Sequence, residues 1–108
     1  MIVVRFFCSD GLYTGFSVRG HAGMAPAGED VLCAAVSSAA YMTANTLTDV
    51  CKAPCDATAS DGEMTVRLTG QNANSVQDVL KGFALHMREL SRQYPEKLKV
   101  IYGGKNNA

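Results

Sequence analysis

Two residues whose types could do chemistry together are His21 and Cys33, twelve positions apart in RGHAGMAPAGEDVLCAAVS, residues 19–37. The histidine stands between glycines, ahead of a run of small residues, and the cysteine follows two acids. A thiol attacks a carbonyl only once ionised, and its pKa falls at a helix N-terminus or beside an imidazolium. With Asp30 as N-cap, accepting the backbone N–H of Cys33, the sulfur falls in the first helical turn, among unpaired N–H groups and the positive end of the dipole. His21 could then share one proton with Cys33, as base and later as acid. Ser37, four residues on and on the same helical face, could donate to the sulfur or the ring. Asp30 could orient His21 if capping leaves it free. Backbone N–H groups near Cys33 and in the loop 20–28 are candidates for an oxyanion hole. Glu29 and Asp30 work against the thiolate unless they face elsewhere. The plainer reading is a solvated histidine at a strand end and a small core thiol, the usual fate of a free cysteine.

The elements that must position these residues follow from period and punctuation. IVVRFFC and LYTGFSVR flank Ser9-Asp10-Gly11. Leu12, Thr14, Phe16 and Val18 alternate with Tyr13, Gly15, Ser17 and Arg19, which is strand period, and Asp-Gly between two such runs predicts a hairpin. A second hairpin is expected around Asp61-Gly62, with Met64, Val66 and Leu68 on one face. Between them Leu32, Val36, Ala39, Thr43, Leu47 and Val50 recur at helical spacing from about Glu29, with Pro54 marking the stop. A second helix carries the stripe Val76, Val79, Leu80, Phe83, Met87, Leu90 and Tyr94. Asn74 and Gln77 look like its capping box, and Pro95 ends it. KLKVIY, residues 97–102, is the closing strand. The expected fold is α+β in the order ββαββαβ: a mostly antiparallel sheet from two hairpins plus a last strand, with two helices packed on one face. Residues 1–102 form one domain, and 103–108 read as a flexible tail.

Composition narrows the function classes. The chain has 108 residues, 47% of them hydrophobic, enough for one core. Its formal net charge is zero, which counts against direct nucleic-acid binding. No apolar run is long enough for a bilayer, and the N-terminal MIVVRFF reads as a strand rather than a signal peptide. The expectation is therefore a cytoplasmic protein with no membrane partner and four reduced cysteines. Cys8, Cys51 and Cys55 read as structural thiols, because CKAPC has Pro54 inside it and no second ligand pair follows. No metal or other cofactor is expected. His86, at the border of the second helix's stripe, reads as surface packing.

Taken together, GHAG at 20–23 and EDVLCAAVS at 29–37 resemble the signature of the ribosomal-processing cysteine protease Prp family, and the likeness extends over nearly the whole chain. The resemblance implies an endopeptidase that removes a short N-terminal extension from a large-subunit ribosomal protein, the one numbered twenty-seven. The cut follows a hydrophobic, Phe-ending motif, and the task supports ribosome assembly. It places the catalytic cysteine on Cys33 and the histidine on His21, with Asp30 and Ser37 also at signature positions. It implies a homodimer and a substrate loop formed here by Gly20, Ala22, Gly23, Met24, Ala25 and Pro26, whose apolar members would cover an aromatic substrate. Two other classes compete. A non-catalytic ribosome-assembly factor would bind without cutting, and a thiol redox protein would need a second cysteine close to Cys33.

Overall fold

The computed structural model describes residues 1–20 and 26–104, the side chains of 26–30 excepted. Five strands and two helices follow one another as β1 (Ile2–Ser9), β2 (Leu12–Gly20), α1 (Pro26–Asn45), β3 (Cys55–Ser60), β4 (Glu63–Leu68), α2 (Gln77–Gln93) and β5 (Leu98–Gly104). The order is the expected ββαββαβ. The strands form one sheet in the spatial order β3-β4-β2-β1-β5, antiparallel except for the parallel pair of β5 on β1. Both helices cover the same face. Ile2, Val4 and Phe6 from β1 meet Leu32 and Val36 from α1 and Leu80, Phe83 and Met87 from α2 in one core. Phe6 sits at its centre, with the rings of Phe16 and Phe83 6.5 and 5.5 Å away.

Both hairpins form where Asp-Gly predicts them. In the first, Asp10 and Gly11 both have positive φ, the conformation of a type I′ turn. The alternation in β2 is broken, however. The register slips between Phe7 and Cys8, so that Phe7 faces Gly15 and Cys8 faces Tyr13, leaving Thr14 as the extra residue of a bulge. One extra residue flips everything before it to the other face. Tyr13, not Leu12 or Thr14, therefore packs on the core beside Phe16 and Val18.

The bulge also explains why the expected capping box is absent. The β2–β4 ladder ends at Gly15 opposite Arg67, so Tyr13 has no strand partner on that edge. The buried Gln77 amide supplies one. Tyr13 N–H donates to Gln77 Oε1 at 3.0 Å, and Gln77 Nε2 donates to the Tyr13 carbonyl at 2.8 Å. Gln77 Nε2 also reaches the Ala73 carbonyl in the 3₁₀ turn Ala73–Val76 that leads into α2. With its side chain committed to the sheet, Gln77 cannot cap, and α2 starts without a side-chain cap.

Helix α1 differs at both ends. It begins at Pro26, ahead of the expected Glu29, because a proline's fixed φ and missing N–H suit the first helical position. Beyond Asn45 it widens into a π turn, Thr46–Val50, where Cys51 N–H reaches the Thr46 carbonyl at 2.8 Å. The last strand runs on through Gly104, past the boundary drawn at residue 102. Residues 105–108 of the expected tail lie outside the described residues.

Candidate active site

Cys33 is half-buried on the face of α1 that meets the sheet. It lines a cavity of about 250 Å³ at the end of the sheet where β1 starts and β2 finishes. Ile2 and Val18 from these strands, Met64 from β4, and Val36 and Ala40 from α1 give the cavity apolar walls. Ser37 and Tyr41 continue the helical side, and the β3–β4 turn closes the rim with Asp61, Gly62 and Glu63.

The chain that leads to His21 is held at this same cavity. Gly20, the last residue of β2, lines it together with Cys33. Its N–H donates to the Gly62 carbonyl at 2.9 Å, tying the strand end to the second hairpin turn. Its φ of +94° is left-handed, and a Cβ there would run into the Met1 carbonyl oxygen. Only glycine fits, so the direction in which the chain leaves the strand for residue 21 is set by backbone. One residue earlier, Arg19 pairs with Glu63 at 2.8 Å, but both side chains are well exposed and the pair adds little stability.

Of the residues singled out in the sequence, the structure gathers Cys33, Ser37 and Gly20 around one cavity. His21, Ala22, Gly23, Met24 and Ala25 lie outside the described residues. Pro26 belongs to the helix rather than to the loop. Asp30 is not the N-cap: the helix has begun four residues earlier, which makes Asp30 its fifth residue, one turn before Cys33. Cys33 is the eighth residue and lies in the third turn, not the first. Its own N–H therefore belongs to the intrahelical ladder and is no free oxyanion donor. Tyr41 was missed in the sequence, although it lies eight positions after Cys33 and four after Ser37 on one helical face, which is the signal that finds it. The turn residues Asp61, Gly62 and Glu63 had no such local signal.

The other thiols stand apart. All four cysteines are free. Cys8 lies next to the end of β1, and its thiol donates to the Phe6 carbonyl at 3.8 Å. Cys55 starts β3, and burial, with the Asp56 carboxylate adding, pushes its thiol up and keeps it protonated. Cys51 is exposed beyond the π turn. From the cavity, β1 and β3 each carry their cysteine some 15–20 Å away, and α1 carries Cys51 at least as far. A disulfide needs Cα atoms within about 7 Å, so none of the three can resolve an oxidised Cys33 in this fold.

A half-buried thiol in a cavity with apolar walls and a polar rim, on a two-layer α+β domain, defines a class: a protein that presents sulfur to a ligand held between helix and sheet. The chain belongs to the cysteine protease Prp family, whose model matches residues 1–99, and it is a cysteine protease. Solved structures share the fold. The ribosomal processing protease Prp of Staphylococcus aureus, in complex with a covalently linked product peptide, is 24% identical, with a TM-score of 0.84 over 94% of this chain and 99% of that one. The same protein with a substrate peptide gives 23% identity and 0.83 over the same shares. SMU.848 from Streptococcus mutans is 26% identical, with 0.86 over 95% of this chain and 94% of that one. No curated protein matches the sequence.

Proposed function

We propose that this protease removes the N-terminal extension of a large-subunit ribosomal protein, the one numbered twenty-seven, by cutting after a Phe-ending hydrophobic motif. The observation that carries the reading is the cavity shared by Cys33 and Gly20, the residue before His21, with Ile2, Val18, Val36, Ala40 and Met64 as apolar walls and a polar rim. The substrate's apolar side chain occupies the cavity and brings its carbonyl to the sulfur. His21 takes the thiol proton, and Cys33 Sγ bonds to the carbonyl carbon. The oxyanion collapses as the C–N bond breaks, and His21⁺ protonates the leaving amine. Water, deprotonated by His21, then hydrolyses the thioester and frees the thiol. Oxyanion donors would be backbone N–H groups beyond Gly20, since those of Cys33 and Gly20 are engaged. Ser37, one turn on, steadies the ion pair, and Asp30, one turn back, is the candidate orienting group. The apolar Met24, Ala25 and Pro26 would cover the bound aromatic. The ribosomal processing protease Prp of Staphylococcus aureus, seen with a substrate peptide and with a covalently linked product peptide, supports the reading.

The place of action is the cytoplasm, where thiols stay reduced; among the described residues no helix is long and apolar enough to cross a membrane. The working form is a homodimer. From Val31 to its end at Asn45 α1 has no charged residue, and Val31 and Met42 are 65% and 69% exposed, a surface that a second copy would cover.

The test is a peptide carrying the Phe-ending extension, offered to the protein and to its Cys33→Ala and His21→Ala variants. Cleavage by the unaltered chain, lost by about a thousandfold or more in both variants, is expected. Binding without cleavage would make it an assembly factor instead. Cleavage that survives Cys33→Ala would end the assignment of the nucleophile.

A further inference from the structure

A second cavity lies at the opposite end of the sheet. Ile2 lines the Cys33 cavity and Cys8 lines this one, and the six residue steps of strand from one to the other span about 20 Å. Its volume is about 460 Å³, within the range of small-ligand sites. Helix α2 contributes Lys81, Leu85 and Arg88, one stripe of its surface, and the sheet contributes Tyr13 and Tyr102.

The chemistry of this lining is one-sided. No acid lines it, and neither cation is spent elsewhere: the ion pairs among the described residues are Arg19–Glu63 and Arg92–Glu89. Tyr102 is 45% exposed. Its ring stacks on Phe6 at 5.8 Å and 18° and lies 6.5 Å from Tyr13, so it is braced from within while part of it meets solvent. The floor makes no competing demand, because the Gln77 amide is already bonded to Tyr13 and Ala73. Burial pushes the Tyr13 hydroxyl up, leaving it a donor at neutral pH, and Arg88 is close enough to oppose part of that rise.

Cations are repelled here. An apolar ligand leaves two charges unpaired, and bare phosphate leaves the ring and Leu85 unused. We propose that the cavity binds a nucleoside monophosphate, its base stacked on Tyr102 and its phosphate reached from either side by Lys81 and Arg88. These two stand two helical turns apart, about 10.5 Å along the axis, with side chains long enough to converge on one phosphate. The same unit also occurs in an RNA strand, but zero net charge favours the free nucleotide. The proposal is independent of peptide cleavage.

Titration of the full chain with AMP, UMP, inorganic phosphate and a short oligouridylate, followed by amide NMR, tests it. Shifts centred on Tyr13, Lys81, Leu85 and Tyr102 are expected with the nucleotides. Tyr102→Ala should weaken binding about tenfold. Because Tyr102 also braces Phe6, the surface variants Lys81→Glu and Arg88→Glu provide a second readout, each abolishing the shifts, with Arg92→Ala unchanged. Tighter binding of the oligomer would assign the unit to RNA and tighter binding of the monomer to a free nucleotide, and both support the site. Phosphate binding as tightly as nucleotide, no cavity shifts at millimolar nucleotide, or undiminished binding by both charge-reversed variants would overturn it.

Discussion

At the scale of single residues, the position that controls the site without reacting is Gly20. Its left-handed φ and its contact with the Met1 carbonyl leave no room for a side chain. It is also the covalent neighbour of His21. Gly20→Ala must therefore move either the start of β1 or the exit of the chain toward His21. The strain costs about 1–3 kcal/mol, and with His21 as the proposed base its displacement would cost far more in rate than in stability. We expect kcat for peptide cleavage to fall roughly a hundredfold while the protein still folds, with KM changed less. Steady-state kinetics alongside a thermal melt checks this. A variant with lowered Tm but unchanged kcat would show that Gly20 serves the fold alone. Cys33 lies in the third turn of α1, one turn beyond Asp30. In the proposed mechanism, replacing an acid near the helix start should matter less to cleavage than replacing His21.

At the scale of elements, Gln77 links α2 to the sheet. Its amide exchanges two hydrogen bonds with the Tyr13 peptide where β4 has run out. Gln77→Leu keeps the bulk and strands a buried N–H and C=O, at about 1–3 kcal/mol each. For a domain of this size the expected fall in Tm is on the order of 10 °C or more, measurable by circular dichroism. A shift of a degree or two would mean that water satisfies Tyr13 instead. The same residue shows what the sequence could and could not reveal. Both hairpins and the α2 stripe were legible, since Asp-Gly turns and helical spacing are local signals. The spacing pairs Gln77 with Asn74, three residues away, but its partner is 64 residues distant. The bulge at Thr14 was hidden because one inserted residue leaves the hydrophobic count intact and only reverses the facing. The start of α1 had two rival signals, Pro26 and Asp30, and the proline prevailed. In the site, the Cys33–Ser37 spacing was legible as one helical face, whereas the walls from β4 and the β3–β4 turn arrive only through sheet pairing. Gly15 belongs with these. A Cβ there would strike the Val66 carbonyl oxygen. The gap it leaves in β2, between Phe7 and Arg67 in the register, lets the guanidinium lie 4.5 Å over the Phe7 ring.

At the scale of the whole molecule, two properties follow from how surface and interior are divided. One is the alkaline limit. Burial raises the thiol of Cys55 from its ordinary 9.0 and the phenol of Tyr13 from its ordinary 10.0. The unfolded chain releases these protons first, so their stabilising effect is whole below pH 9, shrinks from about pH 9 upward for Cys55 and from about pH 10 for Tyr13, and is lost through the raised folded values. Tm should fall along that limb, and less steeply in Cys55→Ala; an identical slope would exclude Cys55 as a cause. The other property is association. An uncharged helical face that displays Val31 and Met42 would be a liability on a monomer. In the proposed homodimer it is the contact, and burying it against a second copy removes apolar area worth roughly 25 cal/mol per Å² before the cost of association. Met42→Lys places a charge at that contact in each protomer, so like charges meet across the two-fold axis. Light scattering at micromolar protein should report a dimer for the unaltered chain and a monomer for Met42→Lys. The side chain is already exposed, so the fold itself is spared, and a charge-bearing variant that remains a dimer would move the interface to another face of the molecule.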